Sequence, residues 1–450
     1  MKLRFSGGTL NLLGGIILIG EKIRRYGFWT LDFVKGSSIR KHYTEIKNIN
    51  DGGNKFEKLE KEHLRKLLDY AVNNTEFYKK FKNFTSLNDF PLIDKNTIKN
   101  NESQLLSREF TNTKLHTMST SGSTGTPLVI KQNKNKRLRV MAELIYFGEK
   151  ANFYIGEKNA FFRVWNNENR NSKLSLLMKN MMEVDISNSN KKNMENITRS
   201  IKKDKKLKCI SAYASSLDCL SNHLIKQKDN MSMPTIKSII STAENLSDST
   251  REKLKKIFCA SIVSRYSNQE NGILAQEMIQ SKGFKINKAS YYIEFLKIDS
   301  DEEASFGELA RVVVTDLFNY AMPIIRYDTG DLSIIEKSTN NETIIKSIEG
   351  RILDFVYDTS GNMLSSHIIS RLMSSYKEIR QFQFIQETEN KYIVKINTPD
   401  SPNIVREIDD KLKQFLGMDA KILVERVDGI PLLKSGKFRH TICNYKPNKY

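Results

Sequence analysis

Three short polar segments, separated by long stretches of chain, constrain the fold more than any other feature of this sequence. They are residues 119–127 (STSGSTGTP), residues 326–332 (RYDTGDL) and residues 434–439 (KSGKFR). The first is rich in glycine and hydroxyl groups and can surround phosphate oxygens. The second carries an acidic turn, and the third carries a Gly-Lys pair. Their order and spacing predict a fold that brings all three together around ATP and closes a lysine over it.

The composition is typical of a folded intracellular chain. The 450 residues are enough for about two to four domains, and a hydrophobic fraction of 39% supports a sizeable core. The four cysteines have no metal-binding spacing, which indicates reduced side chains and favours a cytoplasmic protein. The six histidines include no HExxH pair, the spacing of a zinc protease site.

The net charge of +20 is compatible with binding to nucleic acids, anionic lipids or nucleotide phosphates. The lysines are spread over the whole chain, and basic stretches such as residues 134–139 and 188–205 are typical of solvated loops and helix faces. No nucleic-acid-binding motif accompanies them. We therefore expect no nucleic-acid partner and favour attraction to nucleotide phosphates or anionic lipid.

An apolar stretch at residues 10–19 lies between basic flanks. It is shorter than the roughly 18 apolar residues that a membrane-spanning helix requires, and no signal-peptide cleavage site follows it. Two interpretations remain. The favoured one is a helix packed on the body of the protein, and the other is peripheral membrane contact through residues 1–25.

The pattern of apolar residues predicts an α/β (α+β) protein. Residues 59–78 have helical periodicity, residues 91–95 indicate a turn into a helix capped by Asp94, and residues 308–315 form the strongest strand pattern. Short apolar runs alternate with helices between residues 209 and 266, as in a layered α/β domain. The predicted units are an N-terminal helical extension (1–47), a large layered domain (48–350) and a small α+β domain (351–450).

Four residues outside the glycine loop have the chemistry of a nucleotide site. Tyr266 ends a strand-like run and can stack on a base, and the carboxylate of Glu270 can hold Mg²⁺ beside phosphates. Asp331 can accept hydrogen bonds from the two hydroxyls of a ribose. Lys437 can stabilise the charge that grows as pyrophosphate leaves. Each alone also fits an ordinary surface turn or a lysine-rich composition, so the prediction depends on their combination.

With these segments in view, the chain resembles the adenylate-forming superfamily of acyl-CoA synthetases and adenylation domains. Within it, the chain is similar to the phenylacetate–CoA ligase branch and its capsule-biosynthesis relatives, the CapK-like proteins. The resemblance covers nearly the whole chain. The segments that carry it are residues 70–81 (YAVNNTEFYKKF), 90–95 (FPLIDK), 241–244 (STAE), 307–331 (GELARVVVTDLFNYAMPIIRYDTGD) and 350–354 (GRILD). Residues 28–41 look like the capsule-cluster relatives.

The resemblance implies a role for each matching residue. The loop around the β- and γ-phosphates would be formed by Ser121, Gly122, Ser123, Thr124 and Gly125. Ala243 and Glu244 would border the nucleotide pocket, and Tyr266 would lie near the adenine. Asp331 would bind the ribose hydroxyls with help from Arg351. The remaining roles would be Mg²⁺ binding by Glu270, a hinge at Asp354 and catalysis of adenylation by Lys437.

The implied fold is a large adenylation domain with a small mobile C-terminal lid. The implied enzyme is an acid–thiol ligase that uses ATP and Mg²⁺ to activate a small carboxylic acid and passes it to CoA or to a phosphopantetheine thiol. A role in surface polysaccharide biosynthesis is expected, with a carrier protein or a sugar as a possible acceptor. Two alternatives stay open: an amide synthetase that transfers the acyl group to an amine, and a non-catalytic scaffold.

Overall fold

The computed structural model describes most of the chain. The described residues are 20–52, 56–120, 128–165, 170–187, 191–226, 235–279, 283–351, 356–364, 368–369, 372–373, 375–376, 378–398, 402–431 and 440–445. The apolar stretch at residues 10–19 lies outside this set. Among the helices within these ranges, none has the length and apolar character of a membrane-spanning segment.

Helices precede, interrupt and follow the strands. The α-helices are α1 (Glu21–Val34), α2 (Ser38–Asp51), α3 (Glu57–Asn74), α4 (Lys95–Asn100), α5 (Glu102–Leu105), α6 (Lys134–Lys150), α7 (Lys173–Lys179), α8 (Lys191–Lys203), α9 (Ala214–Lys226), α10 (Asp248–Ile257) and α11 (Pro402–Leu416). Short 3₁₀ turns are Lys79–Phe81, Leu87–Asp89 and Arg108–Phe110. The helix predicted at residues 59–78 is confirmed as α3. Asp94 caps α4 as expected, because its Oδ1 accepts a 2.7 Å hydrogen bond from the Thr97 amide.

The strands form one large sheet and three smaller ones. They are β1 (His116–Thr120), β2 (Leu128–Gln132), β3 (Lys158–Arg163), β4 (Met181–Asp185), β5 (Leu207–Tyr213), β6 (Ser238–Thr242), β7 (Ser261–Asn268), β8 (Gly272–Glu277), β9 (Phe284–Ile286), β10 (Tyr291–Leu296), β11 (Leu309–Asp316), β12 (Tyr327–Lys337), β13 (Thr343–Arg351), β14 (Val356–Tyr357), β15 (Met363–Leu364), β16 (Gln381–Gln386), β17 (Lys391–Asn397), β18 (Lys421–Arg426) and β19 (Thr441–Cys443). The strand predicted at residues 308–315 is confirmed as β11.

The large sheet has 11 strands in the order β10-β11-β12-β13-β9-β8-β7-β6-β5-β3-β4. Strands β3 to β7 run parallel, and helices α8, α9 and α10 cover this half with an apolar cluster. From β7 onward every pairing is antiparallel. Strands β7 to β13 all contribute to one apolar cluster, so this half of the sheet curls around its own core. The predicted mixed α/β class is confirmed.

After β13 the strand pairing changes. A separate four-stranded sheet has the order β18-β17-β16-β19, with α11 packed in the same apolar cluster. Because the strand ladders of the large sheet end at Arg351 and the next described strand begins at Val356, a division near these residues stays the predicted domain boundary.

Candidate functional site

Three of the predicted nucleotide-binding residues, Ala243, Glu244 and Tyr266, lie toward the carboxyl edge of the parallel strands. Tyr213 and Thr242 end β5 and β6 and are register partners, and Thr242 is also the register partner of Arg265 in β7. Ala243 and Tyr266, which come next in the chain, therefore lie at the same edge. In open α/β sheets this edge is where ligands bind.

A left-handed backbone at Ala243 shapes this edge. Its φ is 68°, a conformation that a residue with a Cβ rarely adopts. The turn is closed by the Glu244 amide, which donates to the Thr242 carbonyl at 2.9 Å. The Glu244 carboxylate in turn accepts from the Ser215 amide at 2.8 Å, at the N-terminal end of α9. The predicted pair Ala243–Glu244 is thus a strained turn anchored to a helix start.

A hydrogen bond across the curled sheet joins Tyr266 to Asp331. The Tyr266 hydroxyl donates to Asp331 Oδ2 at 2.7 Å, although β7 and β12 are not neighbours in the strand order. Burial, followed by the nearby Asp331 carboxylate, raises the pKa of Tyr266 well above its ordinary value. The phenol therefore stays protonated and orients the carboxylate. Because the ring is also part of the sheet core, Tyr266 has a packing role as well.

The turn that leads into Asp331 is stabilised by the side chain of Asp328, within the same turn. Gly330 has φ of 74°, and its amide donates to Asp328 Oδ1 at 2.9 Å. Arg311 donates to the other oxygen of Asp328 at 2.9 Å, so both oxygens of this carboxylate accept hydrogen bonds from within the protein. Asp331 is the register partner of Arg351 in the β12–β13 ladder, which places the two predicted ribose-binding residues side by side. The side chain of Arg351 lies outside the described set.

Glu270 is buried where four segments meet. Its Oε1 accepts from the Tyr327 hydroxyl at 3.2 Å and lies 3.7 Å from Lys95 Nζ, while its carbonyl accepts from Gln132 Nε2 at 3.0 Å. Within the described part of the chain, no group of three His, Cys, Asp or Glu side chains could enclose a metal ion. A single carboxylate fits a Mg²⁺ that is held mainly by nucleotide phosphates, and it does not fit an all-protein metal cage.

Lys95 is a site residue that the sequence did not single out by chemistry. Residues 90–95 dock beside β12, since the Ile93 amide donates to the Arg326 carbonyl at 3.0 Å and the Asp328 amide donates to the Ile93 carbonyl at 2.9 Å. Arg326 has φ of 50° and forms a buried 3.0 Å ion pair with Glu294. This docking carries Lys95 to Glu270. The available signal in the sequence was the FPLIDK segment at residues 90–95, which belongs to the family resemblance, but no rule of spacing connects this segment to Glu270.

A buried charged cluster on α6 lies directly behind Glu270. Lys136 Nζ is 2.7 Å from Asp316 Oδ2 and donates to the Tyr291 hydroxyl at 3.0 Å, and that hydroxyl lies 2.8 Å from the Asn271 carbonyl. Arg139, also fully buried, is 2.6 Å from Glu45. The expectation that residues 134–139 are solvated is therefore wrong for Lys136 and Arg139, because the buried Asp316 and the half-buried Glu45 compensate their charges.

The remaining predicted residues lie outside the described set. They are Ser121, Gly122, Ser123, Thr124, Gly125, Asp354 and Lys437. The described residue nearest in sequence to Lys437 is His440. Burial lowers the pKa of His440, and the carboxylates of Glu244 and Asp218 oppose that shift.

The chain is similar to known proteins in both sequence and fold. A family model described as the CapK C-terminal domain matches residues 356–444. Protein CapK of Staphylococcus aureus is 25% identical over 451 residues, covering 92% of this chain and 95% of the relative. A 2-hydroxyisobutyryl-CoA ligase in the postadenylation state, in complex with 2-HIB-AMP, superposes with a TM-score of 0.71 at 14% identity, over 87% of this chain and 90% of that chain.

Two further structures extend the comparison. An open conformation of the same ligase, in complex with 2-HIB-AMP and CoA, gives a TM-score of 0.57 at 14% identity, over 86% of this chain and 91% of that chain. An anthranilate CoA ligase in complex with anthranoyl-AMP gives 0.52 at 13% identity, over 71% and 65% of the two chains. The chain is thus similar to protein CapK over most of its length, matches the CapK C-terminal domain model at residues 356–444, and has the fold of these CoA ligases.

Proposed function

We propose that this protein is an ATP-dependent ligase that activates a small carboxylic acid as an acyl-adenylate. The observation that supports the proposal is the Tyr266–Asp331 hydrogen bond beside the register partner Arg351, at the ligand-binding edge of this fold. An oriented carboxylate there suits the two hydroxyls of a ribose. The glycine loop at Ser121–Gly125 would then receive the β- and γ-phosphates, and the Ala243–Glu244 turn would border the pocket.

Glu270 would hold a Mg²⁺ ion, which neutralises phosphate charge when bound. Lys95 Nζ is 3.7 Å from the Glu270 carboxylate and would bind the same phosphates. In the reaction, an oxygen of the substrate carboxylate forms a bond to the α-phosphorus as the bond to the pyrophosphate oxygen breaks. Lys437 would stabilise the charge that develops there. Positioning and charge neutralisation supply most of the catalysis in such transfers.

We further propose that the acceptor is a thiol, either CoA or a carrier-protein phosphopantetheine. Two structural neighbours support this: the 2-hydroxyisobutyryl-CoA ligase is described with CoA, and the other is an anthranilate CoA ligase. Residues 351–450 would form the lid and Asp354 its hinge. The higher TM-score with the postadenylation form than with the open form supports a closed arrangement here. The similarity to protein CapK supports a role in surface polysaccharide biosynthesis.

The test is acid-dependent pyrophosphate release with ATP and Mg²⁺, across aryl, hydroxy, amino and short-chain acids, with and without CoA. Release without CoA establishes adenylation and identifies the acid, and a further increase with CoA identifies the thiol acceptor. Measurable ATP binding with no release over a broad acid panel points to a specialised acid. Absence of both ATP binding and release contradicts the proposal and leaves the scaffold alternative.

Lys437→Ala provides the sharpest single variant. Because its charge acts on the transition state, exchange of labelled pyrophosphate into ATP is expected to fall about 100-fold or more, with ATP affinity changed by less than about threefold. Lys434→Ala is the matched control in the same segment and should keep the parent rate. Unchanged exchange in Lys437→Ala would remove this residue from the mechanism.

A further inference from the structure

Helix α1 is fixed to the body of the protein through one face. Arg24 Nη1 donates to the Leu177 carbonyl at 2.7 Å, and Arg25 Nε donates to the Ile155 carbonyl at 3.2 Å. At the other end, Asp32 is buried and its two oxygens accept from the amides of Ile39 and Arg40 at 3.0 and 2.9 Å. The rotation of α1 about its axis is therefore set, and so is the face that it turns outward.

That outward face is apolar. The exposed fractions of its large side chains are 58% for Ile23, 70% for Tyr26, 56% for Leu31, 75% for Phe33 and 76% for Val34. The other exposed residues of the helix are Lys22, Gly27 and Thr30. A helix on the surface of a globular protein ordinarily turns polar side chains outward. Here the amphipathic pattern is inverted, because the cations Arg24 and Arg25 face the body.

Helix α7 continues the apolar surface. It lies beside α1 through the Arg24–Leu177 hydrogen bond, and it exposes Leu174 (54%) and Met178 (67%) one turn apart. We call the exposed apolar side chains of α1 and α7 the α1–α7 face. Exposed apolar side chains grouped on neighbouring helices in this way mark an interaction site.

The exposed charged side chains of α1 and α7 are all basic, whereas partly or fully exposed acids occur farther away, at Asp51 at the end of α2 and at Asp185, which lies 3.8 Å from Arg170. In residues 20–50 every exposed charged side chain is basic, and these are Lys22, Lys35, Arg40, Lys41 and Lys47. The acidic residues of that range, Glu21, Asp32 and Glu45, are half-buried or buried. Residues 170–180 add the exposed cations Arg170, Lys173 and Lys179 and contain no acidic residue. The occupant that complements this surface is apolar with an anionic border.

We propose that the α1–α7 face docks on the surface of an anionic lipid bilayer. A bilayer offers acyl chains to the apolar side chains and phosphate headgroups to the surrounding lysines and arginines, which a protein partner would have to match residue by residue. The sequence that leads into α1 has the same character, since residues 10–19 are apolar and Lys2 and Arg4 precede them. This inference goes beyond adenylation and does not depend on it.

The test is sedimentation of the full chain with vesicles of phosphatidylcholine alone or with about one third phosphatidylglycerol. Binding is expected only with the anionic lipid and should weaken as salt is added. The Phe33→Gln/Val34→Gln variant should bind at least about tenfold more weakly, because it removes two apolar side chains from the contact. In the Lys22→Glu/Lys35→Glu variant, the affinity for anionic vesicles should fall about fivefold or more for each residue replaced.

Two control variants distinguish binding through the α1–α7 face from nonspecific binding of the protein to lipid. Phe306→Gln/Met418→Gln replaces exposed apolar residues elsewhere (51% and 80% exposed), and Lys391→Glu/Lys421→Glu repeats the charge change on another surface. Both should bind as the parent does. The proposal is overturned if the full chain does not bind anionic vesicles. It is also overturned if the Phe33→Gln/Val34→Gln variant binds them as the parent does while deletion of residues 1–19 abolishes binding. A change of oligomeric state in that variant without lipid binding would instead assign the face to a second copy.

Discussion

The buried ion pair between Lys136 and Asp316 makes a quantitative prediction. Both side chains are almost completely buried, and Nζ lies 2.7 Å from Oδ2. Replacing Lys136 with Met keeps the apolar stem but leaves two carboxylates, Asp316 and Glu143, with Arg139 as the nearest buried cation. Removing one partner of such a pair costs about 3–5 kcal/mol, because an uncompensated charge remains in the interior. We expect the unfolding midpoint to fall by several degrees.

The size of this loss should depend on pH. Burial raises the pKa of Glu143 above its ordinary value, and Lys136 is the first of the charges that oppose the rise. Without Lys136 the pKa rises further, so the native state binds a proton more tightly than the unfolded chain does. Stability from such a group is present at low pH and is lost as pH rises through the native pKa. The difference between variant and parent is therefore smaller at about pH 5.5 than at about pH 8.

Calorimetry of Lys136→Met and the parent at both pH values measures this effect. Lys134→Met, two residues earlier in α6 and exposed, is the matched control and should change the midpoint little. Two outcomes would refute the reasoning: a variant within about 1 kcal/mol of the parent at high pH, or an equal loss at both pH values.

Three further predictions concern the site. Asp331→Ala should raise the ATP dissociation constant about tenfold or more in calorimetric titration, and equal affinity would exclude the ribose assignment. Tyr266→Phe removes the hydroxyl that orients Asp331, so ATP affinity should drop about tenfold or less; no change would mean that Asp331 needs no such support. Lys95→Ala should slow pyrophosphate exchange at least about tenfold through the loss of charge beside Glu270, whereas Lys99→Ala on the same helix should not. Equal rates in the two lysine variants would place Lys95 outside the site.

The architecture was largely predictable because the strands and helices follow their own periodicity. The helix at α3 and the strand at β11 have unbroken apolar patterns, and their observed bounds differ from the predicted ones by a few residues at most. The curled half of the large sheet was not predictable in the same way. Its hydrogen-bond partners, such as Tyr266 and Asp331, are far apart in the chain, and no local pattern encodes their meeting.

The site was predictable where a residue carries its own signal and not where it depends on packing. Asp331 belongs to a Thr-Gly-Asp turn that can be recognised in the sequence, and in the structure Arg351 is its register partner in the β12–β13 ladder. Lys136 and Arg139 follow each other at helical spacing, which in sequence is indistinguishable from a solvated face. Only the three-dimensional placement of Asp316 and Glu45 against them reverses that interpretation.

The docking of residues 90–95 against β12 also has a consequence for synthesis of the chain. The apolar cluster around Tyr78, Phe90 and Ile93 is completed by Met322, Ile324 and Ile325. On a ribosome that adds about 5–20 residues per second, those partners emerge tens of seconds after the early residues. The nascent N-terminal third therefore carries an unfinished hydrophobic surface for that time. Because residues 90–95 pack against residues that are synthesised much later, we expect slow maturation that depends on chaperones.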